Sequence, residues 1–334
     1  MNREQNLIRM IDELMPGGDD RVTKCFESDA EVLKFKSDRL LFSTDEFSTE
    51  DLFRENNPYV LGWNMAVAGI SDILASGGNP LYYAHALVIK ETWDEKFIMK
   101  FTKGVAEVLR KMNIIFIGGD FGISNDWRYI ISVIGEPVSV PITRQGTRDG
   151  DLIFMTGKVG LGNIEAGLKL FGDMKNISNV TNLFKNKFHI RYEESKLIAK
   201  FANVCIDTSD GLFNAINAIS ELNATGYVIG NIPYLLKGVA LSRILTVPKT
   251  LLFLGESGEY ELLFTIREND KKYLLNSAKK ARLKFTELGK ITGAENRILF
   301  EDNRELDLTG INFRARDFKN KKEYLKQLIK YISK

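Results

Sequence analysis

Apolar positions along this chain alternate between two periods. From Pro58 to the Gly77-Gly78 stop they recur at helical spacing, with Leu61, Met65 and Ile73 on one stripe and proline in the first turn. Phe97, Phe101, Val105, Val108 and Met112 make a second stripe, that of an amphipathic helix. Shorter apolar runs between them predict strands. These are residues 39–44, ending at Asp45; 82–89; 113–117, ending in Gly118-Gly119-Asp120; and 129–135. In the second half, residues 152–157, 202–206 (ending at Asp207) and 261–266 predict strands. Residues 211–222 and 270–282 predict helices, and the glycine-studded stretch 157–162 leads towards a helix near Glu165. In the Lys-rich tail, Leu325, Leu328, Ile329 and Ile332 fall on one face, which predicts a last helix packed on its own domain.

Strands mixed with helices give an α/β (α+β) chain. The turn-rich segment 140–151 divides it into a first domain over 1–138 and a second over 139–316, with the tail helix at 317–334. Two domains suit a length of 334 residues.

Composition narrows the chemistry. The formal net charge is +2, so no general attraction to nucleic acid or membrane follows. The N-terminus is charged and too short of apolar length for a signal peptide, and no run is long enough to span a membrane; a cytoplasmic protein is expected. Two cysteines, Cys25 and Cys205, exclude a zinc cluster or a disulfide framework. Only two histidines exist; His85 lies in an apolar strand and reads as a packing residue. Chemistry therefore falls to carboxylates, backbone and metal.

Six aspartates stand where apolar runs stop or where a charge is out of place: Asp29, Asp45, Asp72, Asp120, Asp207 and Asp210. Gathered carboxylates repel each other and resist ionisation unless a cation neutralises them. Hard oxygen ligands of this type suit magnesium together with phosphate oxygens. Asp45 follows Ser43 and Thr44 and reads either as a ligand or as a turn cap. Asp72 interrupts an apolar helix, where an unpaired carboxylate is expensive. Gly118-Gly119-Asp120 reads as a phosphate approach or a tight turn. In Asp207-Thr208-Ser209-Asp210-Gly211 the two carboxylates can share a metal, and Asp210 can also cap the next helix. Gly17-Gly18-Asp19-Asp20 reads as a loop, and the 157–162 stretch lacks the lysine–serine ending of a P-loop.

Taken in order, these strings resemble the thiamine-monophosphate kinase family, within the aminoimidazole ribonucleotide synthase-like superfamily. FSTDEF, GISDILASGGNP, IGGDFG, ITRQGTRDGDLIFMTG, CIDTSDGL and GEYELLFT each resemble a family segment, over about Leu7 to Phe313. The resemblance implies a two-domain fold whose N-terminal domain forms a barrel-like dimer interface, hence a homodimer, with ATP in a cleft near it. It implies that Ser43, Thr44, Asp45, Asp72, Asp120, Asp207 and Asp210 are metal or metal–phosphate ligands, with Asp29 in the position of a further metal motif. Asp45 and Asp210 would be essential for turnover. Gly119, Asp120, Arg144 and Ser209 would contact ATP; for Arg144 a guanidinium's bidentate grip on phosphate adds a physical case.

The departures lie on the acceptor side. Leu52 replaces the family's histidine, Gly69 an asparagine, and Phe121-Gly122 two threonines; Ser28 stands for one metal-motif aspartate. Glu256-Ser257-Gly258-Glu259 stands for GGED. Leu52 and Glu259 are thus where acceptor specificity would be sought. The implied reaction is magnesium-dependent phosphoryl transfer from ATP, as co-substrate, to thiamine monophosphate, a small phosphorylated acceptor. A superfamily paralogue activating another substrate and a non-catalytic nucleotide-binding protein are the alternatives. Superfamily members that depend on a catalytic cysteine fit less well, since neither Cys25 nor Cys205 sits in a matching place.

Overall fold

The computed structural model describes residues 22–35, 38–49, 51, 57–164 and 187–333. Two sheets organise them. The first has five strands, β1 (Glu31–Phe35), β2 (Asp38–Ser48), β3 (Gly78–Lys90), β4 (Ile115–Ser124) and β5 (Arg128–Pro137), in the order β1-β2-β5-β3-β4. All pairings are antiparallel except β3 with β4. The second has seven: β6 (Leu152–Met155), β7 (Val204–Asp207), β8 (Gly226–Ile229), β9 (Leu262–Ile266), β10 (Thr286–Thr292), β11 (Arg297–Glu301) and β12 (Arg304–Asp307), in the order β12-β11-β8-β10-β6-β9-β7.

Helices α1 (Pro58–Ala75) and α2 (Glu95–Met112) cover one face of the first sheet. The predicted apolar stripes explain why. In α2, Phe101, Val105, Val108 and Met112 are buried and the polar face is wet. In α1, 15 of 18 residues are buried, more than one stripe requires, because α1 also packs against the second sheet at β7. Gly62 of α1 and Gly104 of α2 let the two helices touch backbone to backbone. A Cβ on Gly62 would stand 2.0 Å from the carbonyl oxygen of Phe101, and one on Gly104 would stand 2.1 Å from that of Tyr59.

The second core gathers β6 to β11 around α4 (Leu212–Leu222) and the tail helix α8 (Lys321–Ile332). Further helices are α3 (Tyr192–Ile198), α5 (Leu236–Ile244), α6 (Leu251–Leu254) and α7 (Lys271–Ala281). As the apolar face predicts, α8 packs on this core through Tyr324, Leu328 and Ile332. Among the described residues no helix is long and apolar enough to cross a membrane.

Two strand ends differ from expectation. β2 does not stop at Asp45 but continues to Ser48, because the in–out alternation persists: Leu41, Ser43 and Phe47 are buried towards α1 while Thr44 and Glu46 are exposed. Nor does β4 stop at Gly118-Gly119-Asp120. The register with β3 slips by one residue at Ile117, and Gly118, at φ +124°, absorbs the bulge so that pairing resumes through Phe121 and Ile123. The helix predicted near Glu165 falls largely outside the described residues, as does the 17–20 loop.

Candidate functional site

The carboxylates meet where α1 crosses from one sheet to the other. β2 presents Ser43 and Asp45 to α1 from alternate positions on one face. One turn before its C-terminus α1 offers Ser71 and Asp72, and β7 ends in Asp207. The loop carrying Asp29 is fastened to the end of α1: Ser28 Oγ lies 3.3 Å from Ser76 Oγ, and the Ala30 N–H donates to Ser76 Oγ at 3.1 Å. Oxygens of Asp29, Asp72 and Asp207 consequently lie within 4.8 Å of one another.

Hydroxyls and amides hold these groups in place. Ser43 donates to Asp72 Oδ2 at 2.6 Å, and Ser71 donates to Asp207 Oδ2. The N–H of Asp207 donates to Asp29 Oδ2 at 3.2 Å. Ser209 donates its hydroxyl to Asp207 Oδ1 at 2.8 Å and its N–H to the same oxygen at 3.2 Å. Arg144 forms an ion pair with Asp29, and its loop is clamped by Asn223, which donates to the Arg144 carbonyl at 2.9 Å and accepts from the Gly146 N–H at 2.8 Å. Asp29 Oδ1 takes that ion pair, while Arg144 Nε is buried without a hydrogen-bond partner.

Electrostatics here are unfavourable without a cation. Burial, then the charges of Asp207 and Asp51, pushes Asp45 up to about 7. Asp72 is raised by burial and by Asp45 and Asp207, against the lowering effect of its bond from Ser43. Burial also raises Asp210, opposed by the nearby charges of Arg314 and Arg144. Burial lowers Arg144, while Asp207 and Asp210 work the other way. Converging oxygen donors that cannot all ionise alone fit a hard divalent cation.

Not every expected residue joins this group. Asp45 pairs across the first sheet with Ile131, then His85, then Gly119, so Gly119 lies three strands away, roughly 14 Å by strand spacing. Asp120 follows it on the opposite face, exposed, its carboxylate accepting from the Phe121 N–H at 2.9 Å. The Thr44 side chain is on that opposite face too, donating to the Ile131 carbonyl at 2.9 Å beside Ser132. Leu52 lies outside the described residues. Glu259 is buried away from solvent, where Oε1 accepts from the N–H groups of Gly160 at 2.8 Å and Gly162 at 3.0 Å; it anchors the glycine-rich turn. His85 packs, with Nδ1 2.8 Å from the Tyr129 hydroxyl.

Ser71, Asp51 and Arg314 were not expected at the site. Ser71 carries a signal in the sequence, a hydroxyl beside a carboxylate inside an apolar helix. The other two sit in polar stretches that give none.

Residues 27–136 match the model of the AIR synthase related protein, N-terminal domain. The chain is 30% identical over 291 residues to a thiamine-monophosphate kinase of Buchnera aphidicola subsp. Schizaphis graminum, covering 83% of this chain and 87% of that one. It is 26% identical to the thiamine-monophosphate kinase of Archaeoglobus fulgidus, covering 86% and 93%. Among solved structures, AaThiL complexed with AMPPCP and TMP superposes with a TM-score of 0.73 at 24% identity, over 91% of this chain and 96% of that one. The thiamine monophosphate kinase from Aquifex aeolicus gives 0.71 at 23% identity, over 92% and 99%. At that identity the structural likeness establishes the shared fold.

Proposed function

The chain belongs to the thiamine-monophosphate kinase family, and on that premise we propose that it transfers the γ-phosphoryl group of ATP to thiamine monophosphate at the carboxylate cluster between its two sheets. A terminal phosphate oxygen of the acceptor attacks the γ-phosphorus; the bond to the β–γ bridging oxygen breaks; thiamine diphosphate and ADP leave. The attacking oxygen is already anionic, so no strong general base is required, which suits a site without histidine. Transfer of this kind depends on positioning and charge neutralisation.

One observation supports this reading above the others: Asp29, Asp72 and Asp207 converge within 4.8 Å. With Asp45 and Asp210 they would hold magnesium. Bound there, magnesium would offset the repulsion between two approaching phosphate groups. Ser43 and Ser71 fix the carboxylates, Ser209 braces Asp207, and Arg144, paired with Asp29, would offer its guanidinium to the phosphates.

The chain would work as a homodimer through the first sheet. Among the described residues nothing covers that sheet's second face, and β4 is an edge strand bare on both sides, with Ile115 and Phe121 each 57% exposed and Ile123 63%. Such an edge needs a partner. Pairing there would also put Gly119, Asp120 and the open face of β2 at the interface, which accounts for their distance from the carboxylates within one chain.

Product analysis tests the reading. Purified protein with ATP, magnesium and thiamine monophosphate should yield thiamine diphosphate and ADP in equal amounts. ATP binding without either product would exclude thiamine monophosphate as the acceptor and favour a relative with a different substrate.

A further inference from the structure

Residues 187–195 are fastened to α1 at two points. Near its N-terminus, Trp63 Nε1 donates to the Phe188 carbonyl at 2.8 Å, and Asn64 Oδ1 accepts from the Phe188 N–H at 2.9 Å. Lys187 Nζ stands 3.3 Å from the centre of the Trp63 ring, a cation–π contact. Near its C-terminus, Ser195 of α3 donates to the Leu74 carbonyl at 2.6 Å. The two points lie on either side of Ser71 and Asp72. Between them Arg191 reaches the second sheet. Its Nε donates to Glu261 Oε2 at 2.5 Å and its Nη2 to Glu261 Oε1 at 2.6 Å, a bidentate pair. Its Nη1 donates to Glu194 at 2.7 Å. Thr156, which follows β6, also donates to Glu261 Oε2. Gly157 leaves room for the pair: a Cβ there would stand 2.1 Å from Glu261 Oε1 and 2.5 Å from Arg191 Nη2.

Glu261 also holds the loop that carries Asp207. β7 ends at Asp207, paired with Leu262 at the start of β9. One step beyond, the Thr208 N–H donates to the Glu261 carbonyl at 2.8 Å, and Thr208 Oγ1 accepts from the Glu261 N–H at 3.0 Å. The Thr208 carbonyl is taken by the Gly211 N–H at 3.0 Å, so the hydroxyl replaces it in the ladder. The chain therefore turns away towards Asp210 and α4 while Asp207 and Ser209 stay anchored to Glu261. A continuous path of bonds thus runs from α1, through Arg191 and Glu261, to the residue after Asp207.

We infer that Arg191 and Glu261 are positioning residues for the metal-binding carboxylates: their ion pair sets Asp207, on the second sheet, against Asp72 on α1. The inference rests on the metal-dependent transfer proposed above. Neither residue is among the converging ligands. A buried ion pair adds little net stability over an uncharged pair of similar size, because desolvation offsets the attraction. What a bidentate pair does supply is a single geometry. Magnesium demands near-ideal placement of its oxygens. Groups that orient ligands without touching the metal contribute about ten- to a hundredfold in affinity.

The test is manganese(II) binding to the full chain, followed by electron paramagnetic resonance and so independent of turnover. The ion at the cluster is identified by its loss in Asp72→Asn. Arg191→Lys keeps the charge but not the two-pronged grip, and should weaken manganese about tenfold. Arg191→Met combined with Glu261→Gln leaves no buried charge unpaired and keeps an acceptor for Thr156. This double variant should melt close to the wild type, yet bind manganese about tenfold more weakly. In turnover it should need correspondingly more magnesium for half-maximal rate, with little change in kcat. Should it not fold, the affinity of Arg191→Lys decides. Folded variants with wild-type manganese affinity would overturn the inference, as would an affinity that falls only in parallel with melting temperature. If Asp72→Asn removes no manganese, the inference and the metal site beneath it both fail. Manganese binding that weakens as described, in a chain that forms no thiamine diphosphate, would leave the positioning role standing and defeat the kinase reading.

Discussion

Single residues show what a sequence string reveals and what it hides. Asp72 was legible because a charge inside an apolar helix needs a reason, and its reason is the group formed with Asp29 and Asp207. Glu259 was misleading. Its place in the GEYELLFT string suggested the acceptor, yet its carboxylate is spent on the N–H groups of Gly160 and Gly162. Burial pushes that carboxyl up to about 8, outweighing both bonds. The folded chain therefore binds more protons than the unfolded one between about 4.5 and 8, and this group's contribution to stability falls as pH rises through that window. Glu259→Gln keeps an oxygen for both N–H donors and does not titrate. Its melting temperature should match the wild type near the bottom of the window and exceed it above the top by roughly 2–4 °C, with acceptor KM unchanged. A pH-independent difference, or loss of acceptor affinity, would restore Glu259 to the substrate.

Helices were more legible than strands. The stripes of α1 and α2 follow a 3.6-residue period over 18 residues each, long enough for the pattern to stand out. β8 has four residues and β12 is largely polar, so no period develops in either. β4 failed for another reason: a bulge and two glycines resemble a strand end. It is instead an edge strand carrying Phe121 and Ile123 into solvent. Light scattering should find a dimer at micromolar concentration, and Phe121→Glu combined with Ile123→Glu should give a folded monomer with far lower activity. A monomeric wild type, or a variant that stays dimeric, would remove β4 from the interface.

At the scale of the molecule, the fold class followed from the mixture of periods, and the ordered motifs pointed to the family. Neither could bring Asp29 and Asp207 together, because 178 residues separate them and the contact depends on how two sheets share α1. The site belongs to the junction rather than to either sheet.

On the proposed reading, carboxylates at this junction run the transfer through a divalent cation. The most direct measurement is the initial rate of thiamine diphosphate formation against magnesium concentration, for the wild type and Asp72→Asn side by side. The wild type should saturate with magnesium and stop with chelator. The variant, equally folded, should be slower by on the order of 100- to 1,000-fold. Wild-type turnover in chelator, or an Asp72→Asn chain working at the wild-type rate, would contradict it.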